Sequence, residues 1–308
     1  MSSRRYAAKR RSTGRRTTRK SRARPTRRTT RKRTYRKKPA MSRKRILNVT
    51  SRKKKNTMLT MSNTTSTGTS TAVARQALRI AATTGGKLLW CPTNMDLTLS
   101  GTIGSVSEDA TRTSTLCYMK GLAENIRIQT SSGLPWFWRR ICFTSRDIDF
   151  QRLATADTPI QLVDPFIETS NGFQRLAFNQ LINAMPGTVA AQENVIFKGT
   201  VNLDWDDAII APLDTGKISV KYDKTYRFTS GNANGQVKEL KLWHGMNKNL
   251  LYADDESGGT KVTTYGSVTG NQGMGNYYVY DIIQAGTGAT AGDLMEVRFN
   301  STMYWHER

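Results

Sequence analysis

Alternation of apolar and polar residues with a period of two runs through most of the chain and predicts strands. The clearest case is Ile218, Val220, Tyr222, Tyr226 and Phe228, interleaved with Ser219, Lys221, Asp223 and Arg227. Such a period places the apolar set on one face, toward a core, and the polar set on the other. Met295, Val297, Phe299, Met303 and Trp305 share one face of a second segment, Ile126 and Ile128 alternate with Arg127 and Gln129, and Met95, Leu97 and Leu99 alternate over a shorter stretch. Apolar or aromatic runs predict further strands at 85–91, 135–144, 195–205, 237–243, 261–265 and 277–283. Turn residues separate them, notably Gly231-Asn232, Asn234-Gly235 and 254–259.

One segment breaks the pattern. Phe173, Leu176, Ala177, Leu181, Ile182 and Met185 recur at spacings of three and four, Asn171 can cap the start, and Pro186-Gly187 can stop it. This predicts one helical insertion between strands. Val73, Ala77, Ile80 and Ala81 show a weaker helical spacing, and residues 56–72 are rich in Ser and Thr, as in a linker or an extended first segment. Some eight to ten strands without βαβ alternation predict an all-β sandwich or barrel. A jelly roll suits that count; an immunoglobulin-like sandwich or another barrel remains open.

Charge adds a second part to this picture. The 308-residue chain has 48 Lys and Arg against 23 Asp and Glu, a net charge of +25. Residues 1–55 hold 26 of the cations and no acid, so residues 56–308 hold 22 cations against 23 acids. The division predicts a basic arm, 1–55, attached to a near-neutral shell domain, 56–308. The arm has few apolar side chains and is expected to be disordered alone. Its cations would neutralise phosphates without reading sequence. The DNA-binding candidates are Arg4, Arg5, Lys9, Arg10, Arg11, Arg15, Arg16, Arg19, Lys20, Arg22, Arg24, Arg27 and Arg28. Tyr6 and Tyr35 can stack on unpaired bases. Four clusters have the composition of nuclear-import signals: Arg31-Lys32-Arg33, Arg36-Lys37-Lys38, Arg43-Lys44-Arg45 and Arg52-Lys53-Lys54-Lys55.

Catalytic and metal chemistry find little support. Cys91, Cys117 and Cys142 are odd in number, lie far apart and form no C-x-x-C; neither a disulfide framework nor a zinc site is suggested, and a reducing compartment is expected. The histidines are His244 and His306, and His244 within a strand reads as a structural residue. Gly85-Gly86-Lys87 lacks the earlier glycine of a phosphate loop, and no G-x-S-x-G or H-E-x-x-H occurs. The acidic clusters Asp204/Asp206/Asp207 and Asp254/Asp255/Glu256 read as solvated turns or partners of basic residues on a neighbouring subunit, ahead of a divalent-cation site. No enzyme, cofactor or metal is expected. No apolar stretch is long enough for a membrane span, and the N-terminus has no secretory apolar region.

Several blocks carry a family resemblance. They are Lys53-Lys54-Lys55-Asn56-Thr57-Met58-Leu59, Thr130-Ser131-Ser132-Gly133-Leu134-Pro135-Trp136-Phe137-Trp138-Arg139-Arg140-Ile141-Cys142-Phe143, Val220-Lys221-Tyr222-Asp223-Lys224-Thr225 and Lys241-Leu242-Trp243-His244-Gly245-Met246-Asn247-Lys248-Asn249-Leu250. With the arm, they resemble the coat proteins of genomoviruses, while 60–120 and 145–200 match less distinctly. The resemblance implies a shell enclosing small circular single-stranded DNA, built, as in the similar geminivirus coat proteins, from eight-stranded antiparallel jelly rolls. It implies a homo-oligomeric, icosahedral or geminate particle, fungal hosts, and a nuclear stage that calls for a host import receptor. The expected locations are therefore the virion and the host nucleus. A cellular basic nucleic-acid-binding protein is the alternative. A binder of that kind tends to spread cations over its folded face, whereas here the folded part has no excess.

Overall fold

A computed structural model describes residues 40–99 and 101–307. The chain divides into two units, Met1–Arg43 and Lys44–Arg308. Calls that fall on residues 1–39 lie outside the described residues; they include the thirteen DNA-binding candidates, Tyr6, Tyr35 and the import clusters from Arg31 to Lys38.

The fold is all-β. The strands that build its two main sheets are β1 (Arg52–Thr64), β2 (Gly86–Trp90), β3 (Leu116–Thr130), β4 (Trp136–Ser145), β5 (Ser219–Phe228), β6 (Val237–Leu251), β7 (Asn276–Ala285) and β8 (Leu294–Glu307). The first sheet runs β6-β3-β8-β1 and continues past β1 through the short strands Gly172–Ala177 and Ile167–Thr169, with Ser70–Ala74 paired to β1 and Leu78–Ala81 to β8; the second runs β5-β4-β7-β2. The antiparallel pairs β4–β5, β3–β6, β2–β7 and β1–β8 are nested about the β4–β5 connection. Topologically, a long hairpin has been rolled so that successive pairs fall in alternate sheets.

Two apolar clusters join the sheets. Cys117, Met119, Leu122, Met303 and Trp305 of the first meet Trp90, Cys142, Tyr277 and Val279 of the second. Ile126, Ile128, Val297 and Phe299 meet Trp136, Trp138, Ile283 and Phe228. The far side of the second sheet is covered as well. Phe143, Tyr278, Tyr280 and Ile282 pack under Phe150, Val195, Ile196, Phe197 and Trp205 from the excursion between β4 and β5. Burial on both faces explains why β4 and β7 are near-continuous apolar runs. Among the described residues the first sheet is covered on one face only, and β3 and β8 alternate accordingly.

Several expectations are corrected. The predicted helix at 171–185 is a strand, Gly172–Ala177, followed by a single 3-10 turn, Leu181–Asn183. The strand runs parallel to β1, pairing Thr60, Met61 and Ser62 with Arg175, Leu176 and Ala177, so the first sheet is mixed rather than antiparallel throughout. The helix, Pro186–Ile196, begins where a stop was expected. Proline suits a first helical position, where its missing N–H costs nothing. The start is capped from thirty residues upstream: Asp157 accepts from the backbone N–H groups of Gly187 (2.8 Å) and Thr188 (2.6 Å). The strand expected at 195–205 therefore begins as the helix end and continues as a loop with single bridges. The weak helix at 73–82 is two short strands, Ser70–Ala74 and Leu78–Ala81. The domain boundary at 55/56 falls inside β1, and the disorder expected to residue 55 gives way to a helix at Arg43–Thr50 and then to β1.

β5 refines the clearest alternation. Val220 pairs with Phe143 and Tyr222 with Cys142, leaving Lys221 as the extra residue of a bulge. Paired residues point to the same face, and a bulge shifts the alternation by one. Ile218 and Val220 therefore join the outer cluster of Phe143 and Phe197, while Tyr222, Tyr226 and Phe228 pack between the sheets. The apolar residues are buried or half-buried as expected, but they occupy two faces. Phe228 lies against Trp138, with ring centroids 6.4 Å apart. Phe228→Ala should destabilise the fold by roughly 3–5 kcal/mol in denaturant titrations; a loss below about 1 kcal/mol would contradict this packing.

Candidate nucleic-acid interface

The described basic clusters are those at 43–45 and 52–55. Arg45 is exposed on the first helix. In β1 the strand period divides the second cluster. Lys54 points inward and is 2% exposed. Its ammonium donates to the Thr111 carbonyl (2.7 Å) and the Thr113 hydroxyl (3.0 Å) and lies 3.2 Å from the Glu307 carboxylate. This corrects its candidacy for import, because the charge is paired inside the chain. Lys53 and Lys55 are exposed on the opposite face, in register with His306 and Tyr304 of β8.

Among the described residues, four charges meet in the interior. Arg140 on β4 forms a two-pronged pair with Asp281 on β7 (2.7 and 2.8 Å) and reaches Glu124 on β3. Arg175 donates to Glu124 (3.1 Å) and Asp281 (3.2 Å). The Ser301 hydroxyl donates to Glu124 (2.9 Å) and the Trp138 indole N–H to Asp281 (2.8 Å). Two guanidiniums and two carboxylates thus neutralise each other between the sheets. The Arg175 guanidinium also lies 4.2 Å from the ring centres of both Trp90 and Phe299. Burial raises the Glu124 carboxyl, but Arg140 and Arg175 outweigh it and hold the group down at about 2. Carboxylates saturated by arginine in this way are clasps rather than proton-transfer groups.

His244 and Cys142 are the other pair that could suggest chemistry. Their Nδ1 and Sγ lie 3.8 Å apart, and His244 Nε2 is 3.8 Å from Glu124 without a hydrogen-bond partner. Burial pushes the Cys142 thiol up to about 12, against the pull of Arg140, so it is not a thiolate nucleophile near neutrality. Burial, and then the charge of Arg140, lower His244 to about 4. A histidine with a depressed folded pKa stays neutral in the fold and takes up its proton first in the unfolded chain. Its contribution is therefore intact above about pH 6.5 and is lost as pH falls toward 4, by about 3 kcal/mol in all. His244→Gln should lack that share of the acid destabilisation when urea unfolding is compared at pH 7 and pH 4. Equal losses in the two proteins would show that His244 titrates normally.

Three of the six residues in the acidic clusters are held within the chain, while Asp206, Asp255 and Glu256 are exposed. Asp254, expected in a solvated turn or against a neighbouring subunit, forms a buried two-pronged pair with Arg112 (2.6 and 2.9 Å), whose guanidinium lies 3.7 Å from the Tyr252 ring centre. Asp204 accepts from the Thr200 N–H (2.7 Å) and Asp207 from that of Ile209 (2.8 Å), as turn caps do. No set of three or more His, Cys, Asp or Glu able to hold a metal occurs among the described residues. The three cysteines are free and buried. No protein-family model matches the chain, and no curated protein matches it.

Sequence reasoning missed Glu124, Arg140, Arg175 and Asp281 as a set. Each sits at an apolar-face position of its segment, the one local sign of an inward charge, but their meeting depends on pairings up to 141 residues apart in sequence.

Proposed function

We propose that this chain is the self-assembling coat protein of a small circular single-stranded DNA virus. The observation that carries the proposal is the nested strand order, 1-8-3-6 in one sheet and 2-7-4-5 in the other, joined to a segment with 26 cations and no acid. That order is the one an eight-stranded jelly roll takes, with the first sheet extended at its edge, and jelly rolls are a recurrent viral shell module. The resemblance to genomovirus coat proteins supports the same reading. The fold acts as a building block, and the basic arm gathers the DNA. Other copies of the chain and the genome are its partners. Basic clusters outside β1 serve a host import receptor, and the protein resides in the virion and the host nucleus. The function is structural, with no catalytic step.

Electron microscopy of the purified full chain, with and without circular single-stranded DNA, tests the proposal. Closed particles of uniform diameter are expected. A protein that coats the DNA without closing a shell would instead favour a cellular nucleic-acid binder and overturn the proposal.

A further inference from the structure

The face of the β6-β3-β8-β1 sheet that no other described residues cover carries a charge that composition hides. Register places its outward residues in rows across the strands. One row is Lys53, His306, Tyr118 and Asn249; the next is Lys55, Tyr304, Gly121 and Gly245. A third holds Thr57, Thr302, Ala123 and Trp243, and the rows beyond add Lys241, Arg127 and Arg298. With Lys120, six exposed cations stand against two carboxylates, Glu239 and Glu296; Lys53 and Lys55 come from the basic segment where it enters β1, and the other four from residues 56–308, which as a whole are one charge short of neutral. The local field is felt by His306, which burial and then Lys53 and Lys120 hold below its ordinary pKa.

Aromatic rings lie among these cations. Trp243 is 53% exposed, whereas the other five tryptophans are buried. Its indole lies across Gly121, where a Cβ would come within 2.7 Å of the ring, so glycine at that point lets the ring rest on the sheet. Tyr304 flanks it with ring centroids 5.9 Å apart, and Tyr118 pairs with His306 at 5.7 Å. Two residues along β6 from Trp243, at Lys241, the sheet carries a groove of about 350 Å³, whose polar lining is the amides Asn125 and Asn300, the cations Arg127, Lys241 and Arg298 and one carboxylate, Glu239. Isolated exposed aromatics are common on proteins. A supported indole flanked by cations and an amide-lined groove is the combination that stacks unpaired bases while lysines hold the backbone.

We infer that this face, centred on Trp243 and Tyr304, is a second single-stranded nucleic-acid site, formed by the folded domain and separate from the basic arm. The inference rests on the coat-protein reading for its ligand. Charge complementarity selects a polyanion, and the rings select unpaired bases, because those of a duplex are stacked on one another.

The test uses the full chain. An oligonucleotide carrying 5-iododeoxyuridine is photocrosslinked to it, and the adducts are mapped by mass spectrometry. Affinity for oligo(dT) is measured in parallel at high salt, where the counterion-release contribution of the arm collapses. Adducts at Trp243, Tyr304 or Tyr118 are expected, with a loss of roughly tenfold or more in high-salt affinity for Trp243→Ala. Duplex DNA of equal length should compete poorly. Adducts confined to residues 1–39 with unchanged affinity would overturn the inference while leaving the coat-protein proposal intact. So would equal competition by duplex, or protection of Trp243 from acrylamide on raising protein concentration without DNA, which would make the face a contact between copies. Failure of the wild-type protein to close particles would overturn the coat-protein proposal without altering where adducts form.

Discussion

Glu124→Gln is expected to destabilise the fold by about 3–5 kcal/mol, the usual cost of removing one member of a buried ionic set. The substitution keeps the shape of the side chain and removes its charge. Arg140 and Arg175 would then share Asp281 alone, leaving an uncompensated cation between the sheets. A loss of this size is a large part of the roughly 5–15 kcal/mol that holds a typical domain together. Glu296→Gln is the comparison: its partners Arg79 and Arg298 are partly solvated, and its loss should stay within about 1 kcal/mol. Acid provides a second readout. The Glu124 carboxyl is depressed in the fold, so its stabilisation is complete above the ordinary glutamate value of about 4.3 and is lost as pH falls toward 2. The Gln variant should lack that share of the acid loss. Denaturant titrations in which Glu124→Gln and Glu296→Gln behaved alike would mean that water enters the cluster and screens it.

Replacing the thirteen Arg and Lys of residues 1–28 with Gln removes half of the 26 cations of residues 1–55. The affinity of the full chain for single-stranded DNA should fall by orders of magnitude at low salt, and the slope of log affinity against log salt should drop by about half. Packaging should follow. Sixty chains would bring on the order of 1,500 arm charges, which suits a single strand of roughly 1,500–3,000 nucleotides by phosphate neutralisation. Duplex DNA of that length would double the phosphates and bend only over a persistence length of about 150 base pairs. Shorter DNA in the assembled particles, or empty particles, is the expected outcome. Unchanged length at unchanged yield would assign the limit to cavity volume and reassign the cations to import or assembly. The binding that this variant retains at high salt should require Trp243.

Much of this molecule can be read from neighbouring residues alone. Strands β2, β4, β5, β7 and β8 lie where alternation or apolar runs place them, because a period of two is a local property of the chain. By contrast, β3 and β6 run well beyond the predicted 126–129 and 237–243, and the strands expected at 95–99 and 261–265 shrink to Thr98–Leu99 and Thr260–Val262. Charge partition is local too: the 26 cations without an acid in residues 1–55 are legible whatever the fold, and they carry the proposal of a polyanion partner. Helical spacing misled at 171–185, since Phe173, Leu176 and Ala177 suit a helix face and a doubly covered strand equally well. Parallel pairing to β1 and the remote cap of Asp157 decided between them. The bulge at Lys221 moved Tyr222 to the inner face without disturbing the visible alternation. The tertiary structure alone decided that Lys54 pairs with Glu307 while Lys53 and Lys55 face out, that four charges meet at the core, and that a near-neutral domain gathers cations around Trp243. Which face a residue takes, and which partner it meets, follow from the register of strands far apart in sequence, and register is settled by the packing of the whole.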